Sequence, residues 1–176
     1  MPKPQSDLAQ QLTKDPYCFD FTQLKEKYDE TELKDALVNN IQKLLLEMGN
    51  GFAYMGREYR MVVGETEFFC DMLFYNTKIH SYIICEIKIQ PFEPSFLGQF
   101  SGYVSCANHI LKGEGDNPTI GLLICKNEDE VMARYALEGY NQPLGISEYE
   151  LSKVFPKDFK SSLPSIEDIE NELKEK

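Results

Sequence analysis

EFFCDMLFYNTKIHSYIICEIKI, residues Glu67 to Ile89, is the stretch from which the fold can be read. It holds two apolar runs, EFFCDMLFY and YIICEIKI, on either side of the polar loop Asn76–Ser81. Runs of this length, rich in Phe, Ile and Tyr, predict strands, and their near-continuous apolarity predicts burial on both faces. Yet the first run contains Asp71, and the second contains Glu86 and Lys88. An isolated ionised carboxylate is expensive to bury, so these side chains need partners or a metal.

The pairing register sharpens this. If the two strands form a hairpin closed by Tyr75 opposite Tyr82, the same register sets Asp71 opposite Glu86, with Cβ atoms about 5 Å apart. Lys88, two residues beyond Glu86, points to the same face. Two like charges side by side on an apolar sheet call for a cation between them, and an all-oxygen ligand set suits Mg²⁺ or Mn²⁺. A buried structural ion-pair cluster is the competing reading. The E-x-K triplet itself carries little weight. It recurs at Glu32-Leu33-Lys34 and Glu172-Leu173-Lys174, in helical, solvent-facing stretches where an ion pair or a solvated face suffices.

Outward from the hairpin, Leu33, Leu37, Ile41, Leu44, Leu45 and Met48 recur at helical spacing and predict a helix over Glu32–Met48, stopped by Gly49-Asn50-Gly51. At 100° per residue Glu47 lies about 60° beyond Leu44, on the rim of the buried face. Tyr59–Val63 predicts a strand joined to Glu67–Tyr75 through Gly64-Glu65. After the strand Tyr82–Ile89, a helix begins near Pro94 with Phe96, Leu97, Phe100, Val104, Ala107 and Leu111 as its stripe. A buried strand Thr119–Cys125, a helix near Asp129–Glu138 and a strand near Leu144–Tyr149 follow. This order predicts an α/β fold, a mixed β-sheet flanked by helices. Residues 1–30 read as a packed N-terminal arm and 31–156 as the body. Residues 157–176 read as an amphipathic helical tail, capped at Ser165, that docks onto the body or a partner.

Whole-chain properties narrow the class. The 176 residues suit one domain with a real core, and 42% hydrophobic with 27% charged residues is ordinary for a globular protein. No apolar run approaches a membrane span, and the N-terminus lacks a signal-peptide core, which reads as cytoplasmic. Five cysteines without a C-x-x-C pair read as buried thiols in a reducing compartment rather than a zinc site, which only His80 and His109 could join. The charge argues against tight, unaided nucleic-acid binding: the net is −11, and residues 36–156 alone hold nine basic against 15 acidic side chains. A nucleic-acid surface must then be local, or helped by metal or a partner. There is no Walker-type loop, G-x-S-x-G or H-E-x-x-H, and His109 reads as a cap or surface residue.

A helix, a strand Asp, E-x-K on the next strand and then a helix bearing Gln together resemble the PD-(D/E)XK nucleases. The resemblance is closest to the C-terminal nuclease domain of YhcG-type bacterial proteins. It runs from about Asp15 to Tyr149 and rests on DPYCFDF, LLLEMGNGFAYMGREYR, EFFCDMLFY, ICEIKI, FEPSFLGQ and NPTIGLLICK. It implies a restriction-endonuclease-like fold and a Mg²⁺- or Mn²⁺-dependent nuclease, most readily an endonuclease, hydrolysing DNA phosphodiesters in defence, recombination or mobile-element processing. By the same resemblance Asp71, Glu86 and the Ile87 carbonyl would hold the metal, and Lys88 would position the attacking water and stabilise developing charge. Glu47 would add a carboxylate through water, and Gln99 would orient Lys88 or a phosphate; a plain solvated helix residue is the alternative for Gln99. Cys70 stands where the motif has Pro, a tolerated change. YhcG-type proteins carry a separate N-terminal domain, whereas this chain begins close to the nuclease part. The expectation is a stand-alone version, or a DNA-targeting function supplied by another polypeptide. Two further readings stay open: a catalytically silent nuclease-fold scaffold binding nucleic acid or protein, and a homodimer formed through the tail helix.

Overall fold

The computed structural model describes residues 13–14 and 16–151, so the tail expected at 157–176 lies outside the described residues. Six strands, β1 (Tyr17–Cys18), β2 (Phe52–Val63), β3 (Thr66–Asn76), β4 (Ser81–Lys88), β5 (Ile120–Cys125) and β6 (Leu144–Glu150), form one sheet in the order β1-β6-β5-β4-β3-β2. The pairs β2–β3 and β3–β4 are antiparallel; β4–β5, β5–β6 and β6–β1 are parallel. Among the described residues four α-helices flank it: α1 (Glu30–Asn39), α2 (Ile41–Met48), α3 (Phe96–Ile110) and α4 (Glu130–Leu137). The expected mixed α/β architecture is therefore present, and no helix of the described residues is long and apolar enough to cross a membrane.

Alternating side chains split the core in two. Leu33, Leu37, Leu44 and Met48 of α1 and α2 pack on Ile83, Cys85, Ile87, Ile120, Leu122 and Ile124. On the opposite face Leu97, Phe100, Val104 and Ala107 of α3 meet Ile84, Leu123, Cys125, Leu144 and Ile146. Residues two apart on β4 and β5 share a face, as the pleat requires. Each buried apolar side chain of this size contributes roughly 1.5–3 kcal/mol, so both cores matter to stability.

Three local departures from the sequence expectations have physical causes. The single helix over Glu32–Met48 is two helices, broken at Asn40 (φ −116°, ψ 39°), whose side-chain amide donates to the Ala36 carbonyl at 2.8 Å. Such back-bonding competes with the helical ladder. The first helix also starts earlier, because the Asp29 carboxylate caps it by accepting from the Glu32 N–H at 2.7 Å. The strand expected over Tyr59–Val63 is the end of the longer β2, whose first half is disguised by a register shift between Tyr54 and Gly56 and by a left-handed Glu58 (φ 47°). The Gly64-Glu65 turn is as expected, joining Val63 to its ladder partner Thr66 with Gly64 at φ 61°.

Candidate functional site

The β3–β4 ladder follows the expected register from Asn76–Ser81 through Tyr75–Tyr82 to Met72–Cys85, and its backbone pairing ends there. At the next step side chains replace the ladder. The Asp71 N–H donates to Glu86 Oε1 at 3.2 Å, and the Ile87 N–H donates to Asp71 Oδ2 at 2.9 Å. Each carboxylate thus satisfies a backbone donor on the other strand, and the strands open around the pair. The opening coincides with a change of face on β3: Met72 belongs to the core under α1 and α2, while Cys70, only two residues away, belongs to the core under α3. Across the ladder, the left-handed Glu58 falls between the pairs Arg57–Met72 and Tyr59–Cys70. The twist at this point lets a carboxylate sit inside an otherwise apolar strand.

Electrostatics follow from that placement. Glu86 is 8% exposed. Burial first, and then the Asp71 charge beside it, push its carboxyl well above the usual carboxylate range, while the Lys88 charge works in the opposite direction. Lys88 shares the Glu86 face of β4 and holds its ammonium 5.6 Å from the Phe96 ring centre, at the start of α3. Asp71 and Glu86 are thus linked through each other's strand, and Lys88 lies on the Glu86 face of β4 beside Phe96 of α3.

The remaining expected residues divide. Gln99 lies on α3 and donates through Nε2 to the Tyr103 hydroxyl at 2.6 Å. Glu47 faces elsewhere: its Oε1 accepts from the Cys18 N–H at 2.9 Å and from the Lys14 ammonium at 3.2 Å, which ties α2 to the segment around β1. It makes no direct contact with Asp71 or Glu86 among the described residues. Ile87 lies on β4 between Glu86 and Lys88, and its N–H is held by the Asp71 carboxylate.

Three residues at this site were not anticipated. Lys34 belongs to a copy of E-x-K that reads as solvent-facing, but its ammonium reaches Asp71 Oδ1 at 2.7 Å and Glu30 Oε1 at 3.0 Å, with only 14% of its side chain exposed. Glu30 is thus the helix carboxylate linked to Asp71, through Lys34. The available signal was positional: Lys34 follows the buried Leu33 by about 100° on the helix and pairs with Glu30 at the i,i+4 spacing. Tyr103 is the third. Its phenol is raised above its ordinary value by burial first and then by the Glu86 and Asp71 charges, and its ring stacks on Phe68 at 4.8 Å. Phe96, Gln99 and Tyr103 recur at i, i+3 and i+7, so one stripe of α3 lines the opening.

Two carboxylates and a backbone carbonyl are oxygen donors of the kind a hard divalent cation takes, and such a cation commonly binds one or two protein carboxylates and completes its shell with water and phosphate. The strong desolvation of Glu86 beside Asp71 is the frustration such a cation would relieve. Among the described residues no group of three or more His, Cys, Asp or Glu side chains is placed to hold a metal.

The chain is also similar to known proteins. The family model of the YhcG PDDEXK nuclease domain matches residues 10–164. The Escherichia coli (strain K12) protein named "Putative nuclease YhcG" is 33% identical over 144 residues, covering 82% of this chain and 38% of that protein. Among solved structures, an EndoMS–dsDNA complex matches 68% of this chain and 44% of its own, at 18% identity and a TM-score of 0.48. A repair endonuclease from Pyrococcus abyssi matches 71% and 48%, at 20% identity and a TM-score of 0.44. The chain spans well under two thirds of each of these proteins.

Proposed function

We propose, from the premise that this chain belongs to the YhcG PDDEXK nuclease family, that it is a divalent-metal-dependent nuclease hydrolysing phosphodiester bonds in DNA. The observation that carries this reading is the opened β3–β4 ladder, where Asp71 and Glu86 trade backbone donors beside Lys88.

In this reading Asp71, Glu86 and the Ile87 carbonyl would hold Mg²⁺ or Mn²⁺. A bound divalent cation would supply Lewis-acid polarisation of a phosphoryl oxygen and an acidified water. Lys88 donates to the attacking water or hydroxide and to the charge that develops on the phosphorane. Its ammonium rests over Phe96, which limits its rotamers without consuming its hydrogen bonds. Gln99 acts through Tyr103: the amide fixes the phenol, and the phenol presents its O–H beside the carboxylates. Glu47 in this arrangement is a structural link to the N-terminal segment, and Glu30 is the outer carboxylate. We further infer a cytoplasmic protein that depends on a separate DNA-targeting protein or domain, because its body is acidic.

Cleavage of plasmid and branched DNA with Mg²⁺ or Mn²⁺ tests the reading, with wild type beside Asp71→Ala and Lys88→Ala. Wild-type cleavage lost in both variants supports it, and cleavage that survives both substitutions overturns it. The acidic charge favours a second reading, a silent scaffold on the nuclease fold, which predicts no cleavage by wild type even with candidate partners added.

A further inference from the structure

Both oxygens of Asp71 are engaged. Oδ2 accepts from the Ile87 N–H at 2.9 Å, and Oδ1 accepts from the Lys34 ammonium at 2.7 Å. Lys34 has a second partner one helical turn earlier, Glu30 Oε1 at 3.0 Å. The side chains of Lys34 and Asp71 are each 14% exposed, and that of Glu30 is 28% exposed. A fully solvated pair would be mobile and nearly neutral in energy. This one is partly desolvated, and removing one member without replacing it leaves a poorly compensated charge beside Glu86.

The site therefore already holds a cation on a metal-ligating oxygen. We propose that Lys34 is a placeholder for the metal: it neutralises Asp71 in the metal-free protein, gives up Asp71 Oδ1 when a divalent cation arrives, and is then retained by Glu30. This inference rests on the metal-dependent reading given above. Glu30 gives the displaced ammonium a carboxylate already in contact, so the exchange needs a small side-chain movement and no rearrangement of α1. The exchange lowers the apparent affinity for the metal, since each binding event breaks a Lys34–Asp71 contact. It also keeps the β3–β4 opening from carrying two bare carboxylates between turnovers. After the exchange Lys34 remains beside the site as a positive group facing whatever anion the metal binds.

The test is Mn²⁺ titration of the whole chain by calorimetry, combined with thermal melts with and without Mn²⁺. It compares wild type, Lys34→Met, Lys34→Arg and Asp71→Asn. Lys34→Met, which keeps the apolar stem and removes the charge, is expected to bind Mn²⁺ about tenfold more tightly, the equivalent of one lost partly buried contact. Its metal-free melting temperature is expected to fall below that of wild type, and saturating Mn²⁺ to close the gap. Lys34→Arg restores the competing charge and is expected to bind Mn²⁺ as wild type does. If Lys34→Met does not fold without metal, Lys34→Gln, which keeps a donor for Asp71, takes its place with the same expectation. Mn²⁺ binding that is present in wild type but equal or weaker in the uncharged variant overturns the placeholder and leaves the metal reading standing. Absence of Mn²⁺ binding in wild type and the Lys34 variants alike, or binding undiminished in Asp71→Asn, overturns the metal reading and the placeholder with it.

Discussion

Burying Glu86 beside Asp71 gives the metal-free protein a cost that grows with pH. The folded-state carboxyl is raised above its ordinary value of 4.5, by desolvation before anything else. For an acid shifted in that direction the sign is fixed: the unfolded chain releases the proton first, so stability is lost as pH rises above about 4.5 toward the folded value. Glu86→Gln keeps an oxygen for the Asp71 N–H and cannot ionise. Thermal melts in the absence of metal should therefore show the wild-type melting temperature falling relative to Glu86→Gln between pH 5 and pH 8. Adding Mn²⁺ at pH 8 should raise wild type and leave the variant nearly unmoved. A variant that tracks wild type at every pH would mean that Glu86 is solvated. The Gln99–Tyr103 pair offers a second test at the same scale. A hydrogen bond is worth roughly 1 kcal/mol, so Tyr103→Phe and Gln99→Ala should each slow cleavage roughly five- to tenfold. The double variant should be little worse than either single one, because both remove one contact. Fully multiplied losses would show that the two side chains act separately.

At the scale of elements, β5 shows how closely α3 is seated on the sheet. Gly121 lies on the face covered by α3, where an added Cβ would meet Val104 Cγ2 at 2.7 Å, Leu144 Cδ2 at 2.8 Å and Phe100 Cζ at 2.8 Å. Three neighbours cannot all retreat, so Gly121→Ala should destabilise by about 1–3 kcal/mol, read as a lower urea midpoint at unchanged m-value. Because α3 also carries Phe96, Gln99 and Tyr103, the same substitution should reduce activity at temperatures where the protein is still folded. Elements of this kind were largely legible in the sequence. Continuous apolar runs named β3, β4 and β5, and the closing pair Tyr75–Tyr82 gave the register that brings Asp71 to Glu86. What escaped was local and polar. The break at Asn40 depends on a side chain bonding its own helix, and the first half of β2 hides behind a bulge and a left-handed Glu58. Lys34 looked solvated because i,i+4 pairing with Glu30 explains it equally well on a bare helix. Only the packing of Leu33 and Leu37 against the sheet turns that flank toward Asp71.

For the molecule as a whole, the distribution of charge sets what it can do with a polyanion. The chain carries a net −11, and several of its basic side chains are already matched internally. Arg57 pairs with Asp35, Arg60 with Glu67, Lys14 with Glu47, and Lys34 with both Glu30 and Asp71. Affinity for a duplex comes mainly from phosphates neutralised by Lys and Arg, and each such contact adds close to one to the slope of log K against log salt. Against this net negative charge, metal-free wild type should bind a duplex of arbitrary sequence more weakly than about 10⁻⁴ M at physiological salt, with a shallow slope of about −1 to −2. Fluorescence anisotropy at several salt concentrations measures both quantities without cleavage. A divalent cation held with the help of Asp71 would raise affinity locally, so Ca²⁺ in place of Mg²⁺ should tighten binding more for wild type than for Asp71→Asn. Fusing the chain to an unrelated basic DNA-binding domain should then accelerate cleavage at limiting DNA. Its effect at saturating DNA should be small, since the fusion supplies encounter and leaves Asp71, Glu86 and Lys88 as they are. Micromolar binding with a slope steeper than about −5 would show instead that a basic surface forms without a partner.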